Sequence, residues 1–189
     1  MFKCIEKTRS ESSEIMDKFS FNTRQNQAYP AVCLHNFCKH FGIKHYFIDE
    51  LVWHLISILS ADNLVDWESK GAKLNLSGRG ESLPEVIRKM VPISCYDDFT
   101  ELLEYCIEVG VVDMYGDNAD EPQLFLLKCI KLLSDNNIEL PKFDVISKCR
   151  LDESAWGKAI RKSELRKIII FYQINLDSKV FNNDFGTVL

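Results

Sequence analysis

Residues 30–45, "PAVCLHNFCKHFGIKH", hold two cysteines and three histidines, and whether they form a metal cage or a helix decides the fold. Leu34, Phe37, Cys38 and Phe41 recur at i, i+3, i+4 and i+7, the spacing of an amphipathic helix. Pro30 suits a first turn, where an N–H is unpaired anyway, and Gly42 suits the left-handed position just past the last turn. A helix turns by about 100° per residue, so Cys33 and His40 fall on one edge of the apolar stripe while His35 lies roughly 160° from Cys33. Cys33 and His40 are also two turns apart, about 10 Å along the axis, whereas the ligands of one zinc sit about 2.0–2.3 Å from the same ion. They cannot share a metal. His35 and Cys38 at i, i+3 would need His45 or His54 to complete a tetrahedron, and no C-x2-C, H-x3-5-H or H-E-x-x-H spacing supports one. The reading is a helix without metal or cofactor. Cys38 is then a small buried hydrophobe, His35 and His40 flank the solvent face, and His54 pairs with Glu50.

The same periodicity extends outward. Ile48, Leu51, Val52, Leu55 and Leu59 predict a helix from about Tyr46 to Ala61. "DNLVDWESKGAKLNLSGRGESLPE" then breaks the pattern, with "AKLNLS" as a short edge strand or extended loop. "SGRGE" lacks the GK[ST] of a phosphate loop and reads as a plain turn, and Ser82 with Glu85 reads as a capping box for a short helix ending at Pro92. Phe99, Leu102, Leu103 and Cys106 predict a helix over about Cys95–Gly110, and "PQLFLLKCIKLLSDNN" another that closes on its two asparagines. A last helix reaches about Tyr172, with "KIIIFYQI" as a strand alternative. "FCKHFGI" and "HLISILSADN" are echoed by "YCIEVGV" and "KCIKLLSDNN", which suggests two related helical hairpins. The expected fold is mainly α: one helical bundle, or a short repeat stack of αα-hairpins, with at most a minor strand. Residues 1–27 are polar and read as a loose lead-in, and residues 28–189 as a single domain, within reach for a chain of 189 residues.

Charge is distributed unevenly. Asp97, Glu101, Glu104 and Glu108 sit at i, i+4, i+7 and i+11, within about 60° of one another and opposite the apolar face. With Asp98, Asp113, Asp117, Asp120 and Glu121 they place nine acids and no lysine or arginine in residues 97–121. The whole chain is −5, so the other 164 residues, with 23 basic and 19 acidic side chains, sum to +4. The candidate binding surface is therefore Asp97, Glu101, Glu104 and Glu108, continued by Asp113, Asp117, Asp120 and Glu121. The tail does carry a basic run, Lys158, Arg161, Lys162, Arg166 and Lys167, but a phosphate ligand would meet a net-negative molecule, so nucleic acid is not expected.

Seven scattered cysteines, an odd number without C-x-x-C, point to reduced thiols. Lys3, Glu6, Lys7 and Arg9 interrupt any apolar core at the N-terminus, and "FIDELVWHLISILSA" is too short to span a bilayer. A soluble cytoplasmic protein without a membrane partner is expected. No G-x-S-x-G, H-E-x-x-H or Walker sequence is present. Carboxylates on a convex helix back lack the desolvation that makes a useful acid, so no catalytic residue is assigned.

The segments "FTELLEYCIEVGVVDMYG" and "QLFLLKCIKLL" resemble small, acidic, cytosolic bacterial immunity proteins, which neutralise toxins of contact-dependent inhibition and other polymorphic toxin systems. The resemblance covers about a fifth of the chain and transfers no residue roles. It implies an inhibitor that presents clustered carboxylates to a basic, nuclease-like toxin, a charge pairing that gains association rate and specificity. A helical adaptor of other purpose, and then an enzyme with an unrecognised site, are the alternatives.

Overall fold

The structure, a computed structural model, describes residues 21–78, 82–115, 121–149, 154–177 and 180, without the side chains of 111–115 and 121. It is mainly helical. The first helix of the described residues, α1 (Thr23–Phe41), is the element on which the others are assembled. It packs against α2 (Tyr46–Ser57), α5 (Tyr96–Tyr115), α6 (Glu121–Asp135) and the short α7 (Phe143–Ser147). Every residue from Thr23 to Leu34 is buried, so its N-terminal two-thirds is enclosed on all sides rather than lying on a surface. That enclosure makes a bundle around α1, not an open stack. Short α3 (Leu64–Gly71), α4 (Glu85–Met90) and α8 (Lys162–Phe171) are the further helices with described bounds, with 3₁₀ turns at Ile58–Ser60 and Ile93–Cys95.

The start of α1 corrects the lead-in boundary. Residues 1–20 lie outside the described residues, but 22–27 are a buried polar segment, and Pro30 sits inside the helix instead of opening it. The initiation signal is Asn22, whose Oδ1 accepts from Gln25 N at 3.0 Å while Gln25 Oε1 accepts from Asn22 N at 3.1 Å. This reciprocal cap satisfies two otherwise orphaned donors and sets the helix start ahead of the proline. Three of the segment's long polar side chains, Arg24, Gln25 and Gln27, serve distant backbone. Gln25 Nε2 donates to the carbonyls of Ile146 and Ser147 at 2.8 and 2.9 Å, Gln27 Nε2 to Cys106 O at 2.7 Å, and Arg24 to three carbonyls described below. Tyr29 adds a bond from its hydroxyl to Pro141 O at 2.8 Å.

Elsewhere the sequence pattern and the helices agree, with local exceptions. Gly42 ends α1 at φ 69°, and its N–H caps the last turn, as the left-handed glycine cap requires. The helix expected at 46–61 becomes α2 plus the 3₁₀ turn. Asn137, at φ 56°, closes α6, and Asn136 Nδ2 bonds both Leu132 O and Asp98 Oδ2. The tail forms helix α8, not the alternative strand. The expected edge strand at "AKLNLS" is absent: residues 72–76 form turns and a bend, and no strand occurs among the described residues. The Ser82–Glu85 capping box does not form either, because Pro84 occupies the N-cap position and leaves exposed Ser82 two residues too early. The "SGRGE" turn lies largely outside the described residues, which stop at Gly78 and resume at Ser82.

The two hairpins of the internal echo are both present, α1 with α2 and α5 with α6, yet their glycines differ in role. Gly110 lies within α5, which continues to Tyr115. A Cβ at Gly110 would stand 2.1 Å from Gln27 Oε1, so the glycine permits α1 and α5 to approach. Gly110→Ala is expected to lower stability by about 1–3 kcal/mol through overpacking, despite alanine's helix-propensity gain of about 1 kcal/mol. Urea denaturation reads the sign directly: a raised midpoint would mean that Gln27 yields without cost.

All the buried apolar residues of the described chain except Val109 form one cluster. Cys33, Cys38, Cys106 and Cys129 belong to it, and Cys106 Sγ lies 3.9 Å from Cys129 Sγ without a disulfide. Burial raises the pKa of Cys33, Cys38 and Cys106, whereas Cys149, half-buried, is pushed up only to about 11. Because the thiolate is the nucleophile, these core thiols should react with a chromogenic disulfide reagent only as fast as the protein unfolds, with Cys149 the earliest of the six described. Rapid native labelling of Cys106 or Cys129 would contradict this packing.

Candidate functional site

The acidic ridge is built by α5, whose inward face buries Phe99, Leu102, Leu103 and Cys106 against α1 and α6. That placement turns positions 97, 101 and 104 away from the bundle. Asp97, Glu101 and Glu104 are exposed and Glu108, one turn further, is half-buried. Asp98 leaves the ridge, since its carboxylate accepts from Asn136 Nδ2 of α6 at 2.8 Å. Tyr105 borders it, donating its hydroxyl to Glu101 Oε2 at 3.2 Å, and Lys128 of α6 lies 4.8 Å from the Tyr105 and Phe125 ring centroids. Burial and the Glu101 bond together raise the Tyr105 pKa, which keeps it a donor. At the foot of the ridge, one turn before Asp97 in sequence, Ile93 is 92% exposed. Asp113 is in the last turn of α5 and Glu121 in the first of α6, their side chains undescribed, while Asp117 and Asp120 lie outside the described residues.

The four histidines take separate positions. His35 is half-buried on α1, and burial followed by Lys39 lowers its pKa. His40 is exposed and meets Phe41 edge-on. His45 Nδ1 accepts from Phe47 N at 3.1 Å and caps α2. His54 does not pair with Glu50 as expected but stacks on Trp67, ring centroids 4.4 Å apart at 11°. Burial makes stacking on an indole cheaper for a neutral imidazole than an ion pair would be. Among the described residues no group of three or more histidines, cysteines and acids is placed to hold a metal ion.

The sequence reading missed a groove of about 420 Å³ beside α2, walled by α3 and the start of α8. Glu50, Trp53 and His54 contribute from α2, Asp66 and Lys70 from α3, and Lys162 from α8. Its signal lay in "NLVDWES": Asn63 Oδ1 accepts from Val65 N at 2.9 Å and Asp66 N at 3.3 Å, starting a helix in the region read as irregular.

Comparison with protein-family models, with curated proteins and with solved structures finds no match for this chain. No helix among the described residues is long and apolar enough to cross a membrane.

Proposed function

We propose that this chain is a protein-binding inhibitor whose α5 ridge docks on a basic protein and covers its active site, in the manner of an immunity protein facing a nuclease-like toxin. The supporting observation is charge segregation on an exposed helix back: Asp97, Glu101 and Glu104 face solvent along α5, in a stretch of 25 residues with nine acids and no base. Clustered carboxylates steer a basic partner into register and raise its encounter rate. Exposed Ile93 supplies an apolar anchor beside the charges, the combination found where polar contacts surround a desolvated side chain. The cytoplasm suits this reading, because the described cysteines are free thiols.

The test is a paired capture from a native lysate, with wild-type protein and a Glu101→Lys, Glu104→Lys, Glu108→Lys variant as baits. A basic protein retained by the first and lost from the second supports the ridge. Identical captures by both baits would move the search to the groove or the basic tail.

A further inference from the structure

The eight residues of α3 include one buried side chain, Trp67, and everything else on the helix is exposed or half-buried. Trp67 is held in two ways by one residue of α2: its ring stacks on the His54 imidazole, and its indole N–H donates to His54 O at 2.7 Å. The α3 backbone also comes close to the ring at Gly71. A Cβ at Gly71 would stand 2.4 Å from His54 Nε2, so α3 packs on the imidazole with only a glycine between them. The chain on either side is pinned independently. Ala61 O accepts from Arg24 Nη1 at 2.8 Å, and Leu76 is buried in the core. Residues 62–75 thus lie between two fixed points, held to the bundle by half-buried Leu64 and Leu74 at their ends and, in the middle of α3, by Trp67 on a side chain that can change its charge.

We propose that α3 is a hinged wall of the groove, latched by Trp67 on a neutral His54, and that protonation of His54 releases it while the bundle stays folded. This inference does not rest on the ridge. The charged groups lining the groove with His54 are Glu50 of α2, Asp62, Asp66 and Lys70 on and beside α3, and Lys162 of α8. Burial, and then Lys70, lower the His54 pKa from 6.5 to about 4. Once α3 swings away, the imidazole meets water and regains its ordinary affinity for a proton. Above pH 6.5 neither state is protonated, and the latch is fully favoured. As pH falls from 6.5 to about 4 only the open state takes the proton, so the open fraction rises by up to tenfold per unit, or about 300-fold across the window. Below pH 4 both states are protonated and nothing more is gained from His54.

Amide hydrogen exchange between pH 7 and pH 3.5, corrected for the intrinsic rate, tests the latch. Amides of 64–71 should lose at least tenfold of their protection by pH 4.5 while α1, α5 and α6 keep theirs. His54→Phe, which can still stack but cannot titrate, should hold 64–71 protected at pH 4. Gly71→Ala, which pushes on the imidazole, should loosen them at pH 7. Loss of 64–71 equally in wild type and His54→Phe would overturn the proposal, as would simultaneous loss of every helix or full protection of 64–71 at pH 3.5. If His54→Phe does not fold, the His54 ring titration followed by NMR in the wild type must coincide with the loss of protection, and a mismatch overturns it as well.

Discussion

Replacing Arg24 by methionine should cost about 3–5 kcal/mol, the largest single-site loss expected in this chain. Arg24 is 6% exposed, and its guanidinium donates from Nε to Gly157 O at 3.0 Å and from Nη1 to Ile58 O and to Ala61 O, the latter at 2.8 Å. Ile58 and Ala61 lie at the C-terminal end of α2 and its 3₁₀ extension, at the negative end of the helix dipole, where Ile58 O accepts only a long bond from Ala61 N, at 3.3 Å, besides the guanidinium. One buried cation thus ties α1, the end of α2 and the loop before α8 together. Methionine keeps much of the apolar stem and deletes the donors. Charged hydrogen bonds contribute about 1.5–3 kcal/mol each, and carbonyls left buried without a donor cost about 1–3 kcal/mol, with partial recovery by water. In a domain of this size each kcal/mol shifts Tm by about 2–4 °C, so the variant should melt about 6–20 °C lower. Arg24→Lys, with fewer and less spread donors, should fall between. A Tm within 2 °C of wild type for Arg24→Met would show that the cage is dispensable.

The position of Arg24 also shows what the sequence conceals. Helical periodicity exposed the principal helices because each carries an apolar stripe, and a stripe is a local property: Leu34, Phe37 and Cys38 of α1, or Phe99, Leu102 and Cys106 of α5, declare their burial within a few turns. The ridge was legible for the converse reason, since Asp97, Glu101 and Glu104 oppose such a stripe. "NTRQNQ" carries no stripe. Arg24, Gln25 and Gln27 are buried where carbonyls of residues 58, 61, 106, 146, 147 and 157 need donors, a demand created by tertiary structure and invisible in composition. The Asn22–Gln25 spacing was a readable cap, overshadowed by Pro30. Gly110 illustrates the same limit, because a glycine that ends a helix and one that admits a neighbouring side chain are written alike. The groove stayed hidden because its walls come from residues more than a hundred positions apart, Glu50 and Lys162 among them.

The second large effect concerns the ridge. Converting Glu101, Glu104 and Glu108 to lysine changes the local charge by six units in about 11 Å of helix. The fold should survive, because none of the three belongs to the core, and surface substitutions usually shift stability by less than about 0.5 kcal/mol each, with somewhat more for three adjacent lysines. Association with a basic partner should not survive unaltered. Long-range steering acts before contact and is screened by salt over a Debye length of about 10 Å at 0.1 M. The loss therefore belongs mainly to the on-rate and shrinks as salt rises. The most direct measurement is the association rate of the captured partner with wild type and triple variant at low and high salt, with helical content recorded beside it. The proposal predicts a fall of at least about tenfold at low salt and a smaller one at high salt. An unchanged on-rate in a fully helical variant would contradict it and reduce the ridge to a solvated helix back.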